Sequence, residues 1–284
     1  MDIQNQMPTF SKGQKRIASY LLDHYEKAAF MTAAKLGNTV NVSESTVVRF
    51  ANQLGFDGYP KFQKTLQDMI KNKLTSLQRM EATSDNLAQG DMLSNVLNFD
   101  IDRIRQTLAT TSREAFTGAV DDLVNARNIY IVGVRSAWAL ASFLGYYFNL
   151  TFDHVQLIDA GSASDVFEKV MLINKTDVMI GISFPRYAGA TVQAMEFARD
   201  RGASVIAITD SESSPLSPYA HHLLLARSDM VSFIDSLVAP LSLINALIVE
   251  TSIRKRDEVE KRFRELENIW EHYGVYKQSR EKRS

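Results

Sequence analysis

The stretch from Thr32 to Leu54, TAAKLGNTVNVSESTVVRFANQL, narrows the choice of fold more than any other part of the chain. Val47, Phe50, Ala51 and Leu54 recur at i, i+3, i+4 and i+7, the spacing of one buried helical face. Ser43 stands before them where an N-cap belongs, and Gly55 after them as a C-cap. Upstream, Thr32 to Gly37 reads as a second, shorter helix. Gly37, Asn38 and Asn41 supply the turn between the two, because Gly and Asn tolerate positive φ. Two short helices joined in this way form a helix-turn-helix, whose second helix enters the DNA major groove. The buried face leaves Ser45, Thr46, Arg49 and Asn52 pointing outward. Arg pairs with guanine, Asn with adenine, and Ser or Thr with phosphates or base edges. Ser43 joins this set at the helix start, and Lys35 and Lys61 are expected to touch phosphates on either side. The same residue types also make an ordinary solvated face.

Charge placement agrees with a DNA-reading head. The chain of 284 residues carries a formal net charge of -1, so it is no polycation. Between Met1 and Lys73, however, ten Lys and Arg face six Asp and Glu, a formal +4 that leaves -5 for the remainder. A basic head on an acidic body is expected where only the head meets phosphates. At ~100–200 residues per domain the length suggests two domains, and 45% hydrophobic residues suffice for real cores. There are no cysteines, which excludes disulfides and thiolate metal sites and is compatible with a reducing compartment. The opening MDIQNQMPTF has neither a basic nor an apolar signal region, so a cytoplasmic protein is expected. The most apolar long segment, Phe233 to Ile253, is broken by Asp235, Pro240, Asn245 and Glu250 and reads as a buried helix, with no membrane span expected.

Periodicity organises the rest. Residues 9–29 read as a first helix, with Ile17, Ala18, Leu21, Leu22 and Tyr25 at helical spacing. Another helix is expected over 61–77, and the polar segment Glu81 to Gly90 reads as an interdomain linker. Helices are expected over 92–108 and 112–126. Short Val/Ile-rich runs at 128–134, 153–158, 177–183, 204–209 and 222–226 read as strands. Most alternate with helices, at 138–150, 165–172 and 191–201; helices at 234–253 and 256–273 close the chain. Strand–helix alternation implies a parallel sheet covered on both faces. The expected architecture is α/β: an all-α head over 1–77, a linker and connecting helix over 78–110, and a body over 111–284 with a five-stranded parallel sheet flanked by helices.

The head sequence VSESTVVRFANQLGFDGYPKFQKTL resembles the helix-turn-helix of the RpiR/MurR family of bacterial transcriptional regulators. GVRSAWALA, DVMIGISFPRYAGAT and GASVIAITDSESSPL resemble the SIS (sugar isomerase) domain that this family carries. The resemblance covers nearly the whole chain. It implies a double-stranded operator as one partner and a sugar-phosphate-like effector as the other, with regulation of sugar or related carbon metabolism. It implies no catalysis and no cofactor. A two-fold operator needs two heads at fixed spacing, so a homodimer or homotetramer is expected.

The resemblance also locates the effector, at the carboxyl ends of the strands, where backbone amides and hydroxyls hold phosphate. Two loops take that place. In Gly133-Val134-Arg135-Ser136-Ala137, Arg135 stands where the family has a second glycine and Ala137 where it has a serine. In Ser183-Phe184-Pro185-Arg186-Tyr187, Ser183 matches the first serine of Ser-x-Ser-Gly-x-Thr, while Pro185 and Ala188 replace the other hydroxyls. Hydroxyls are lost and two arginines, which bind anions bidentately, are gained. The expected ligand set is Gly133, Arg135, Ser136, Ser183, Arg186 and Tyr187, with Asp159, Ser162 and Ser164 near the same mouth. A neutral ligand, or a degenerate site whose arginines pair with Asp or Glu, stays open. His221 and His222 lack spaced carboxylate partners, so no metal is expected. A phosphosugar aldose–ketose isomerase with an accessory head is the alternative; it would use a Glu or His such as Glu250 or His154 for proton transfer. A DNA-binding protein whose body only assembles oligomers is the third reading.

Overall fold

The computed structural model describes residues 3–70, 91–159, 163–229 and 234–275. By internal contacts the chain divides into two units, Met1–Val96 with Met230–Asp235, and Leu97–Asp229 with Ser236–Ser284.

The first unit is helical. After a short turn at Ile3–Gln6 come α1 (Lys12–Ala28), α2 (Ala33–Thr39), α3 (Glu44–Gln53) and α4 (Tyr59–Ile70). Ser11 opens α1 with a reciprocal capping box: its hydroxyl accepts the Gln14 N–H, and the Gln14 side chain accepts the Ser11 N–H. Thr32 caps α2 by accepting the Lys35 N–H at 3.2 Å. Phe50 lies at the centre of the core, fully buried, with ring centroids 5.1 Å from Phe10 and 6.0 Å from Phe62. Ile17, Leu21, Leu36 and Val47 surround it in the same buried cluster. The expected face of α3 is therefore the buried one, except that Leu54, at the C-cap, is only half-buried.

Several boundaries differ from those expected: α1 begins at Lys12, behind its Ser11 cap, and not at residue 9. α2 runs on to Thr39, so Gly37 and Asn38 are helical and Asn41 alone takes the positive φ, 54°. Gly37 serves a close approach instead: a Cβ there would stand 2.8 Å from the Val42 carbonyl oxygen. α4 begins at Tyr59 rather than 61, since Pro60 fits a first turn that needs no N–H. The end of the expected 61–77 helix beyond Ile70 and the 81–90 linker lie outside the described residues.

The second unit is α/β. Its elements are α5 (Met92–Thr110, which crosses the unit boundary), α6 (Arg113–Asn125), β1 (Ile129–Gly133), α7 (Ala137–Thr151), β2 (Val155–Ile158), α8 (Ala163–Val170), β3 (Val178–Ile182), α9 (Gly189–Asp200), β4 (Ser204–Thr209), β5 (His222–Leu225), α10 (Val238–Arg254) and α11 (Arg256–Tyr273). The five strands are parallel in the order β2-β1-β3-β4-β5. Each apolar strand divides its residues between two cores. Ile129, Ile131, Ile180, Ile206 and Ile208 meet α6, α7 and α10 on one face. Tyr130, Val132, Met179, Val205 and Ala207 meet α8 and α9 on the other. Burial on both faces is why these strands read as continuous apolar runs. α10 starts at Val238, four residues later than its pattern suggests, with Pro240 in its first turn. No described helix is long and apolar enough to cross a membrane.

Candidate functional site

On the head, α3 presents a hydroxyl cluster at its start. Ser43 has extended backbone at the N-cap position, but its hydroxyl lies 2.9 Å from both Ser45 Oγ and Thr46 Oγ1 instead of capping an N–H. Arg49 folds back over this cluster, its Nε donating to the Ser45 carbonyl at 3.3 Å and its guanidinium to Thr46 Oγ1 at 3.4 Å. Ser43, Ser45 and Arg49 are exposed and Thr46 half-buried, so four expected residues form one polar surface. Asn52 is exposed as well, but its Oδ1 accepts the Gly58 N–H at 3.0 Å and so steadies the loop before α4. Lys35 is exposed on α2, and Lys61 pairs with Asp57 at 2.7 Å. Arg16, not singled out in the sequence reading, donates to the Asn41 carbonyl at 3.0 Å and braces the left-handed turn residue. Its only sequence signal is a basic residue on the helix preceding the motif.

In the body, the strand order creates a switch point. The chain leaves β1 toward β2 on one side, then returns past β1 to β3 on the other, so a crevice opens between the carboxyl ends of β1 and β3. Gly133 pairs in register with Ile182, so the loops beginning at Val134 and Ser183 leave the sheet side by side. These are the two loops expected from sequence. Gly133 is required for packing: a Cβ would stand 2.9 Å from the Ala137 carbonyl oxygen, where α7 turns back over β1. Arg135 and Arg186 are both exposed and both left-handed, with φ of 59° and 68°. Non-glycine residues held there cost about 1–3 kcal/mol each, and such residues cluster at functional sites. Ser136 is exposed at the N-cap position of α7 and makes no capping bond.

Ser183 is buried, and its Oγ accepts the Ala188 N–H at 3.1 Å, which shapes the turn into α9. Tyr187 donates its hydroxyl to buried Asp210 at 2.7 Å and so ties the β3 loop to the end of β4. Burial foremost, and then the Asp210 charge, push the Tyr187 phenol above its usual range. Asp210 is the partner that the sequence did not disclose. Asp159 is exposed after β2, while Ser162 and the side chain of Ser164 lie outside the described residues.

The remaining candidates fall elsewhere. His222 bonds Asp122 at 2.8 Å, and His221 Nδ1 accepts the Val205 N–H at 3.0 Å, with burial holding its pKa below the usual value. Among the described residues no cluster has the ligands for a metal. Glu250 pairs with Arg254 at 3.1 Å. His154 lines a cleft of about 370 Å3 at the amino ends of β1 and β2, the far end of the sheet from both loops. Arg127, Lys255 and Arg262 in that cleft are paired with Asp177, Glu258 and Asp153.

Known proteins share both halves. Residues 1–73 match the helix-turn-helix domain of the rpiR family, and residues 122–250 match the SIS domain. An HTH-type transcriptional regulator of Caldanaerobacter subterraneus subsp. tengcongensis is 26% identical over 278 residues, 95% of this chain and 94% of that one. The sugar isomerase domain of an RpiR transcription factor from Sphaerobacter thermophilus is 30% identical with a TM-score of 0.60, over 63% of this chain and 99% of that one. The Vibrio vulnificus NanR protein, solved in complex with ManNAc-6P, is similar in fold at 19% identity and a TM-score of 0.60, over 98% of each chain. With an rpiR-type helix-turn-helix ahead of an SIS body, the chain belongs to the RpiR family of DNA-binding transcriptional regulators.

Proposed function

We propose that this regulator binds a two-fold operator as a homodimer or homotetramer in the cytoplasm, and that an anionic sugar-derived metabolite in the β1/β3 crevice controls it. The observation that carries the effector reading is the pair of left-handed arginines, Arg135 and Arg186, on adjacent loops at the switch point. Strain of this kind persists where the surrounding structure holds it for a use. A guanidinium binds phosphate or carboxylate bidentately and replaces the hydroxyls these loops lack. The amino ends of α7 and α9 add their own preference for negative charge. In this reading Arg135 and Arg186 grip the anion, and Ser136 donates a hydroxyl. Ser183, whose oxygen already accepts the Ala188 N–H, donates its own proton to the ligand. Gly133 and Tyr187 hold the two loops in place. NanR, similar in fold, was solved with a phosphosugar, ManNAc-6P, which supports the same ligand class here.

On the head, Ser43, Ser45, Thr46, Arg49 and Asn52 read the operator and Lys35 contacts a phosphate. Residues 1–77 act as the reading head, 78–110 as the connector and 111–284 as the sensing body. The ligand changes operator affinity because it binds one placement of the paired heads better than the other.

Calorimetric titration of the full chain tests the pocket, with ManNAc-6-phosphate, other hexose phosphates, organic acids and neutral sugars as probes. One anionic class is expected to bind, and Arg135→Ala or Arg186→Ala to weaken it by roughly 10–100-fold, the worth of a charged hydrogen bond. Binding of neutral sugars alone would overturn the anion reading. Measurable isomerisation of the bound phosphosugar would favour an enzyme instead.

A further inference from the structure

α5 meets its own domain largely through polar bonds, while its most polar side, with Asn95, Asp102, Arg105 and Gln106, is exposed. Asp100 accepts a bond from Ser236 Oγ, Arg103 bonds Asp229, and Thr107 Oγ1 accepts the Arg227 N–H at 2.9 Å. Just past the helix, Thr111 donates to the Leu225 carbonyl at 2.8 Å. This polar ladder fixes α5 along the segment that follows β5. An adjoining face carries Leu93, Leu97, Ile101, Ile104 and Leu108, exposed at 68%, 53%, 43%, 36% and 61%. Those residues expose on the order of 500 Å2 of largely apolar surface, as much as a whole monomer usually shows in one patch. Helices normally bury such a stripe and solvate the opposite side.

We infer that this stripe is where a second copy of the chain docks, α5 against α5 in antiparallel sense. The inference rests on the dimeric reading above and names its surface. A two-fold interface must be complementary to itself, and the stripe has the required symmetry: reversed end to end, its spacing maps Leu93 onto Leu108 and Leu97 onto Ile104. Ile101 then sits beside the axis. Antiparallel pairing also sets opposite ends of the two helix dipoles next to each other. The stripe alone provides over half of the ~800 Å2 per partner found in stable interfaces.

The chain contains no cysteine, so single-cysteine variants of the full-length protein report the geometry directly. Ile101→Cys is expected to form a disulfide dimer on mild oxidation. Leu93→Cys mixed with Leu108→Cys is expected to cross-link, and Leu93→Cys alone is not. Sedimentation of Leu97→Asp/Ile104→Asp is expected to show dimer dissociation strengthened roughly 100-fold or more, since four central apolar side chains are lost per dimer. Circular dichroism checks that this variant folds; if it does not, the cross-linking pattern decides. A parent dimer that gives no Ile101→Cys cross-link, or a folded double variant that stays dimeric, overturns the α5 surface and leaves the dimeric reading standing. A parent that sediments as a monomer overturns both.

Discussion

α3 and α5 are amphipathic helices that settle in opposite senses. α3 buries Val47, Phe50 and Ala51 and turns hydroxyls and Arg49 to solvent. α5 directs Asp100, Arg103 and Thr107 at its own domain and leaves Leu93, Leu97, Ile101, Ile104 and Leu108 exposed. A hydrophobic stripe therefore does not by itself show that a helix buries that side within its own fold. α3 finds its neighbour in the aromatic cluster of Phe10 and Phe62. α5 is held by directional polar bonds, which keep one orientation and leave the stripe for another surface.

Substitutions on the two helices separate these roles. Phe50→Ala should have the largest effect, a loss of about 3–5 kcal/mol from the head, read by chemical denaturation, because a fully buried ring leaves a cavity. Asp229→Ala comes next. It removes the carboxylate that Arg103 and Arg227 share, and the unfolding free energy should fall by about 2–3 kcal/mol, less than for a fully buried pair because both guanidiniums keep some solvent. An unchanged denaturation curve would mean that the polar ladder does not hold α5. Arg49→Ala should leave the fold intact and weaken specific operator binding by about 1–3 kcal/mol in a gel-shift titration; an unchanged footprint removes Arg49 from base reading. Leu108→Ser should be smallest, within about 0.5 kcal/mol in protomer unfolding measured at dilution, as for an exposed position. A large loss there would show that the stripe is internal to the protomer.

The head was the most legible part. The i, i+3, i+4 spacing of α3 names its buried residues Val47, Phe50 and Ala51, because burial there depends on one local cluster, while Leu54 at i+7 falls at the C-cap and is only half-buried. The end of α2 was not legible: Gly37 reads as a turn residue, yet it is helical and is needed because the Val42 carbonyl passes close by. In the body, the strands were readable as apolar runs and the two loops after β1 and β3 as small-residue segments carrying Arg135 and Arg186. That both arginines occupy left-handed backbone was not readable. Neither was the engagement of Tyr187 with Asp210, nor that of Asn52 with Gly58, since each joins side chains or loops whose approach no local pattern encodes.

Helix and strand identity, the capped starts of α1 and α2, the basic head and the family-specific motifs all reside in the order of residues, because period and cap chemistry act over a few positions. Tertiary structure alone decided that β1 lies between β2 and β3, that Gly133 stands beside Ile182, and which side of α5 meets its own domain. These depend on hydrogen bonds and contacts between segments far apart in the chain, whose free energy exists only once the whole domain has closed.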